Sequence, residues 1–233
     1  MRIFKIVLAT SLAITGFGLT STAAQANVSD SQVNEAREAM LTRAEAAKIG
    51  VKATASTFTV GVSHKAAGTL LDDRNIWLCD DLNDVDITIP GSKLQFQASH
   101  ASETAKVFRS ATQTLHRYPS AKAANAAYRL LTKRITACTG EKNDTEGGVT
   151  FKTTVSNGTS KVEDGDSVVW VAVNGDLSGG ASAMTSHDYT AFHVDGNVIV
   201  QLNLDIDGPG APAITNKQRT IINELACDAV HRS

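Results

Sequence analysis

Residues 198–206 constrain this chain more than any other stretch. Val198, Val200, Leu202, Leu204 and Ile206 fall on one side of an extended backbone, and Gln201, Asn203 and Asp205 on the other, because successive strand side chains point to opposite faces. One apolar and one polar face mark an antiparallel sheet covered on one side. Such a strand needs partners beside it and helices over its apolar face. Residues 184–194 supply the nearest partner across the turn Asp195-Gly196-Asn197. Residues 149–155 and 167–173 read as two more strands, with Asn157-Gly158 and Asp164-Gly165 as hairpin-type turns between them. Val168 to Val171 is apolar on both faces, which predicts a central strand. Residues 107–118 read as a strand and residues 54–62 as a strand or an extended lead. Residues 140–148 read as a polar connection, and residues 61–102 as a loop-rich region of the kind that carries binding residues.

Three helical patterns accompany these strands. Over residues 120–138, Ala121, Ala124, Tyr128, Leu131, Ile135 and Cys138 recur at steps of three and four and share one face. Ser120 can cap that helix after Tyr118-Pro119. Residues 27–50 predict a first helix with Ser29 or Ser31 as its cap, and Gly50 suits the left-handed residue past its end. Residues 212–230 predict a closing helix, with Pro212 in its first turn. Its stripe is Ile214, Ile221, Ile222, Leu225 and Ala229, which leaves Cys227 nearly opposite. Together these elements give an α+β fold, an antiparallel sheet covered on one face by helices with an open cleft or polar face.

The first 26 residues read as a signal peptide and residues 27–233 as a single domain. Arg2 and Lys5 precede an apolar run over residues 6–19, and Ala24-Gln25-Ala26 is a cleavage signal. The run is short for a membrane span and is interrupted by Gly16 and Gly18. Cleavage after Ala26 predicts a secreted, extracellular protein with no stable membrane insertion. It leaves 20 basic against 24 acidic residues, a net charge of −4. That mild acidity does not suggest nucleic acid as a partner.

The three cysteines, Cys79, Cys138 and Cys227, allow one disulfide and one leftover thiol. In an oxidising space a cysteine on a buried helix face suits a crosslink. The preferred pair is Cys79 with Cys138, leaving Cys227 free or joined to a second copy in a Cys227-linked dimer. Cys138 with Cys227 is the alternative.

Several pieces occur together in a known pattern: Met40-Leu41-Thr42 with Glu45, Tyr118-Pro119-Ser120-Ala121-Lys122-Ala123-Ala124 leading to Ala137-Cys138, and Gly196-Asn197-Val198-Ile199-Val200 before a closing helix. In these the chain resembles the actinobacterial PknH-like extracellular sensor domain family. That family includes the ectodomain of a receptor serine/threonine kinase and secreted or lipid-anchored proteins without a kinase. The resemblance implies an α+β fold with a cleft for an unknown ligand, and no known enzymatic activity. The kinase ectodomain has two disulfides from four cysteines. Cys79 and Cys138 fit the first pair in position, whereas Cys227 has no evident partner. No kinase motif is present, so a sensing role would need a separate partner.

No coherent catalytic constellation stands out. His187, Tyr189, Ala191 and His193 share one face of a strand, read as its solvated side. The two histidines lie about 20 Å apart at 3.3 Å per residue, too far to share a metal. Asn203-Leu204-Asp205-Ile206-Asp207-Gly208 resembles the start of a calcium loop, but Ile214 stands where the bidentate Glu belongs. Gly175-Asp176-Leu177-Ser178-Gly179-Gly180 resembles a serine-protease segment, broken by Leu177 and without a triad. No metal and no cofactor is therefore expected. The leading reading is a non-catalytic, ligand-binding or sensor-like secreted domain, with Trp77, Tyr189, Gln201 and Asn203 as ligand-contact candidates; Trp77 fits a core position equally. Its partner would be an unknown small molecule or an envelope component. An envelope protein-interaction component is the alternative, followed by a secreted hydrolase.

Overall fold

The computed structural model describes residues 28–62, 92–137, 139–146, 148–179 and 183–232. The signal peptide, Trp77, Cys79 and Cys138 lie outside the described residues. Among the described residues the elements follow in this order: α1 (Asp30–Ala39), α2 (Arg43–Lys48), β1 (Ala55–Val62), β2 (Leu94–Glu103), β3 (Phe108–Arg117), α3 (Ala121–Ala137), β4 (Gly140–Glu146), β5 (Val149–Lys161), β6 (Ser167–Ser178), β7 (Met184–Asp195), β8 (Val198–Gly208) and α4 (Asn216–His231). The strands make one antiparallel sheet in the order β1-β2-β3-β8-β7-β6-β5-β4, so the fold is α+β, as the alternation of residues 198–206 predicts.

The apolar side of β8 is the floor of the main core. Val198, Val200, Leu202, Leu204 and Ile206 are buried there with Ala191 and Tyr189 of β7 and Ala111 and Leu115 of β3. Ala36 and Ala39 of α1, Ala46 of α2 and Ile222, Leu225, Ala226 and Ala229 of α4 close over them. On the opposite face α3 covers one end of the sheet. Its Leu131 and Ile135 pack on Val155, Val169, Val171 and Phe192, and its Ala124 and Ala127 pack near Tyr118 and Ile199. The helix is held by Tyr128, whose hydroxyl donates to the Phe192 carbonyl at 3.0 Å, and by Asn157, whose amide donates to the Ile135 carbonyl at 2.8 Å.

Several sequence expectations are corrected. The first helix is two helices, broken at Met40-Leu41-Thr42. The Leu41 N–H donates to Gln113, its carbonyl bonds His100 at 2.7 Å, and Thr42 opens α2 in a capping box with Glu45. Long-range hydrogen bonds to the sheet thus outweigh continued helical pairing. The closing helix starts at Asn216 rather than Pro212, because Thr215 caps it reciprocally with Gln218. The loop-rich reading fails over β2, where Leu94, Phe96, Ala98 and His100 are buried. The polar connection over residues 140–148 contains β4, an edge strand whose charges suit a strand paired on one side only.

Asn157-Gly158 is no turn: β5 runs unbroken through it, and the hairpin closes at Asp164-Gly165. Gly158 lies opposite Trp170 in the ladder, and a Cβ there would sit 2.7 Å from the indole. The glycine makes room for a ring.

Candidate functional site

The polar side of β8 continues across its neighbours. Strand register sets Ser99, Thr112, Asn203 and Thr190 in one row, Ala101, Ser110, Asp205 and Asp188 in the next, and Gln97, Thr114 and Gln201 beside them. These side chains bond one another. The Asn203 amide donates to Asp188 and, at 3.0 Å, to Thr190. Thr190 donates to Asp188 at 3.1 Å and Ser110 to Asp205 at 3.0 Å. Ser99 and Thr112 hydroxyls are 3.0 Å apart. The Asn203 Oδ1 is buried and has no partner, which leaves an acceptor unused where most buried polar atoms are paired.

The electrostatics of this field come from burial. Asp188 stands directly opposite Asp205; desolvation first, then the Asp205 charge and a hydrogen bond to it, raise its carboxyl well above the usual range. Asp188 therefore favours its protonated form more strongly than a free carboxyl does. Asp207, one step along β8 on the same face, is also raised, chiefly by burial. His116 lies in the row of Gln95 and Ile199. Desolvation pushes its imidazole down to about 4, so it is neutral near pH 7. The Gln95 amide nitrogen lies 2.9 Å from His116 Nδ1 and can only donate, so Nδ1 accepts and Nε2–H faces Gln201 at 3.4 Å. The side-chain hydrogen bonds of His116 thus run to amides and to no hydroxyl. The field offers carboxyl and amide oxygens to hydroxyl or ammonium donors.

The structure brings Gln201 and Asn203 together here and separates Tyr189 from them. Tyr189 pairs with Leu204 and so faces the helices; it is 1% exposed, its hydroxyl donates to Asn223 at 3.0 Å, and its ring stacks on Trp170. The face that holds His187, Tyr189 and His193 is thus the helix-covered one, which corrects its reading as solvated: α4 lies on it. His187 bonds Asn174 at 2.7 Å and lies 3.2 Å from the Ala211 carbonyl. Asn203 to Gly208 run as strand β8, and Gly175 and Ser178 belong to β6. Strand alternation marked Gln201 and Asn203; Asp188, Ser110 and Thr112 became visible only through pairing.

Cys227 is a free thiol. It does not project away from the packed side of α4 but is 2% exposed, because the β5–β6 hairpin and β7 wrap that flank of the helix. Burial and the Asp166, Asp228 and Asp164 carboxylates push its thiol up to about 11.

An antiparallel sheet with three helices over one face, and with α3 and a hydrogen-bonded polar field on the other, defines an α+β domain. The profile of the PknH-like extracellular domain family matches residues 91–215, and the chain belongs to that family, an extracellular sensor-type domain. Among solved structures it is similar to the extracellular domain of PknH from Mycobacterium tuberculosis, at 14% identity and a TM-score of 0.49 over 82% of this chain and 92% of that one. Comparison with curated proteins gave no match. No helix among the described residues is long and apolar enough to cross a membrane.

Proposed function

We propose that this chain is an exported, non-catalytic sensor-type domain that binds a small polar molecule at the buried polar field of the β2–β3–β8–β7 face. The observation that carries the reading is the buried Asn203 Oδ1 without a partner, set among Thr190, Asp188 and Asp205. Such a field suits a ligand rich in hydroxyl or ammonium donors, since each donor can meet a fixed oxygen. Export with cleavage after Ala26 would deliver the domain to the space where that ligand occurs.

Native mass spectrometry of the chain from culture supernatant, without reductant, tests this. A copurifying small mass that leaves on denaturation, and that is lost in Asn203→Ala, is the expected result. The chain mass checks cleavage and the Cys79–Cys138 disulfide. A stable protein complex without a small ligand would instead support the envelope-interaction reading.

The hydrolase reading has one observation in its favour, Asp188 standing opposite Asp205 with its carboxyl raised by burial and by that neighbour, since a carboxyl of raised proton affinity can serve as an acid. Turnover of a hydrolase substrate that disappears in Asp188→Asn would establish it and overturn the non-catalytic one.

A further inference from the structure

At one end of the helix-covered face, three elements bring the metal-ligand side chains of Asp166, His193 and Cys227 together, with His231 beside Asp166 and Cys227. Asp166 immediately precedes β6 in the β5–β6 hairpin, His193 projects from β7, and Cys227 and His231 stand one turn apart on α4. The ligand atoms of Asp166, His193 and Cys227 all lie within 4.8 Å of one another. The Cys227 Sγ is 3.6 Å from Asp166 Oδ2, 3.8 Å from His193 Nε2 and 3.7 Å from His231 Nε2. Asp166 Oδ2 is 3.9 Å from His193 Nε2 and 3.6 Å from His231 Nε2. Around a tetrahedral zinc ion, with bonds near 2.3 Å to sulfur and 2.0–2.2 Å to nitrogen and oxygen, neighbouring donors stand roughly 3.4–3.6 Å apart. The five separations here match those edges or exceed them by a few tenths of an ångström.

The outer contacts agree. His193 Nδ1 lies 3.1 Å from the Ser167 carbonyl. A carbonyl only accepts, so Nδ1 carries the hydrogen and Nε2 turns a lone pair to the cluster. That is the arrangement by which proteins orient a metal-binding imidazole. Cys227 and His193 are buried, at 2% and 4% exposure, whereas the Asp166 and His231 side chains are about half exposed, at 44% and 49%. The cluster therefore has a closed inner side and an open outer one.

We infer that Asp166, His193, Cys227 and His231 form a binding site for a zinc-class divalent cation, which ties α4 to the β5–β6 hairpin and β7. One thiolate and one carboxylate neutralise the double positive charge, and two imidazoles complete a mixed sulfur, nitrogen and oxygen set that suits zinc. Binding releases the Cys227 proton to solvent, since the thiolate is the ligand. His193 faces the helices and not the polar field, so this inference stands or falls separately from the proposed ligand.

Cobalt reports the site directly. The full exported chain, reduced and stripped of metal, is titrated with Co²⁺ and then with Zn²⁺. The expected result is a thiolate-to-cobalt absorption with the intense visible bands of four-coordinate cobalt, both abolished by Zn²⁺, and a rise in Tm with Zn²⁺. Cys227→Ser removes the thiolate absorption. His231→Ala and Asp166→Asn, at half-exposed positions that leave the core intact, weaken binding by more than the roughly 10–100-fold typical of losing an outer contact. Absence of the thiolate absorption in the unaltered chain would overturn the site, as would equal cobalt affinity in His231→Ala. Recovery of fresh protein as a Cys227-linked dimer would also overturn it.

Discussion

Leu204 and Asn203 are adjacent in the chain and belong to opposite sides of the molecule. On the Leu204 side, β3, β8, β7 and β6 meet three helices over a core of aliphatic and aromatic side chains, with Gln113, His100 and Asn223 bonded at its margins. On the Asn203 side, three of the same strands carry hydroxyls, amides and carboxyls that bond one another. The first face holds the fold by removing apolar surface from water. The second is built from groups that are costly to bury, and the cost is visible in the displaced acidities of Asp188, Asp207 and His116.

Leu204→Ala should have the largest effect, a loss of about 2–5 kcal/mol in denaturant unfolding, since the side chain is fully buried. Asn203→Ala next to it should cost about 0.5–1.5 kcal/mol, the net worth of its hydrogen bonding. If the order were reversed, the division of labour between the faces would be wrong.

The polar face should also govern acid stability. His116 has a folded value of about 4 against an ordinary 6.5, so between those pH values the unfolded chain binds a proton that the folded chain refuses. Stability therefore falls as pH drops through that window, by on the order of 3 kcal/mol. Asp188 acts in the opposite sense. Its raised folded affinity for a proton means its contribution is greatest at low pH and declines as pH rises above the unfolded value. Unfolding curves from pH 7 to pH 4 on the chain and on His116→Gln separate the two, and an unchanged acid slope in the variant would refute the role given to His116.

Gly158→Ala sharpens the comparison from the helix-covered side. Its Cβ would meet the Trp170 ring at 2.7 Å, so overpacking should cost about 1–3 kcal/mol and shift tryptophan fluorescence while leaving the polar field untouched. Thr42→Ala, which removes the cap of α2, should lower stability by about 0.5–2 kcal/mol, measured as a drop in Tm.

Legibility followed the range of the forces involved. Strands β7 and β8, helix α3 and the Gly196 turn were readable because a local period or a local turn residue specifies them. Strand β2 alternates as cleanly as β8 over Leu94 to His100 but has a shorter apolar face, and the polar composition of β4 reads as loop unless its one partner is known. Asn157-Gly158 carried a strong turn signal that Trp170 overrode from the next strand. Of the ligand-contact candidates, Gln201 and Asn203 share the polar face and Tyr189 does not, because one apolar and one polar face per strand can be read locally while the direction of each face cannot.

By itself the sequence determined the alternation of β8, the apolar stripe of α3, the capping residues, the mild acidity and the expectation of export, all of which depend on neighbours within a few residues. The tertiary structure alone decided that β3 pairs with β8, that the His193 side of β7 lies under α4, and that Asp166 meets Cys227 across 61 residues of chain. Those outcomes depend on strand register, and register is set by the joint packing of both faces rather than by any one segment.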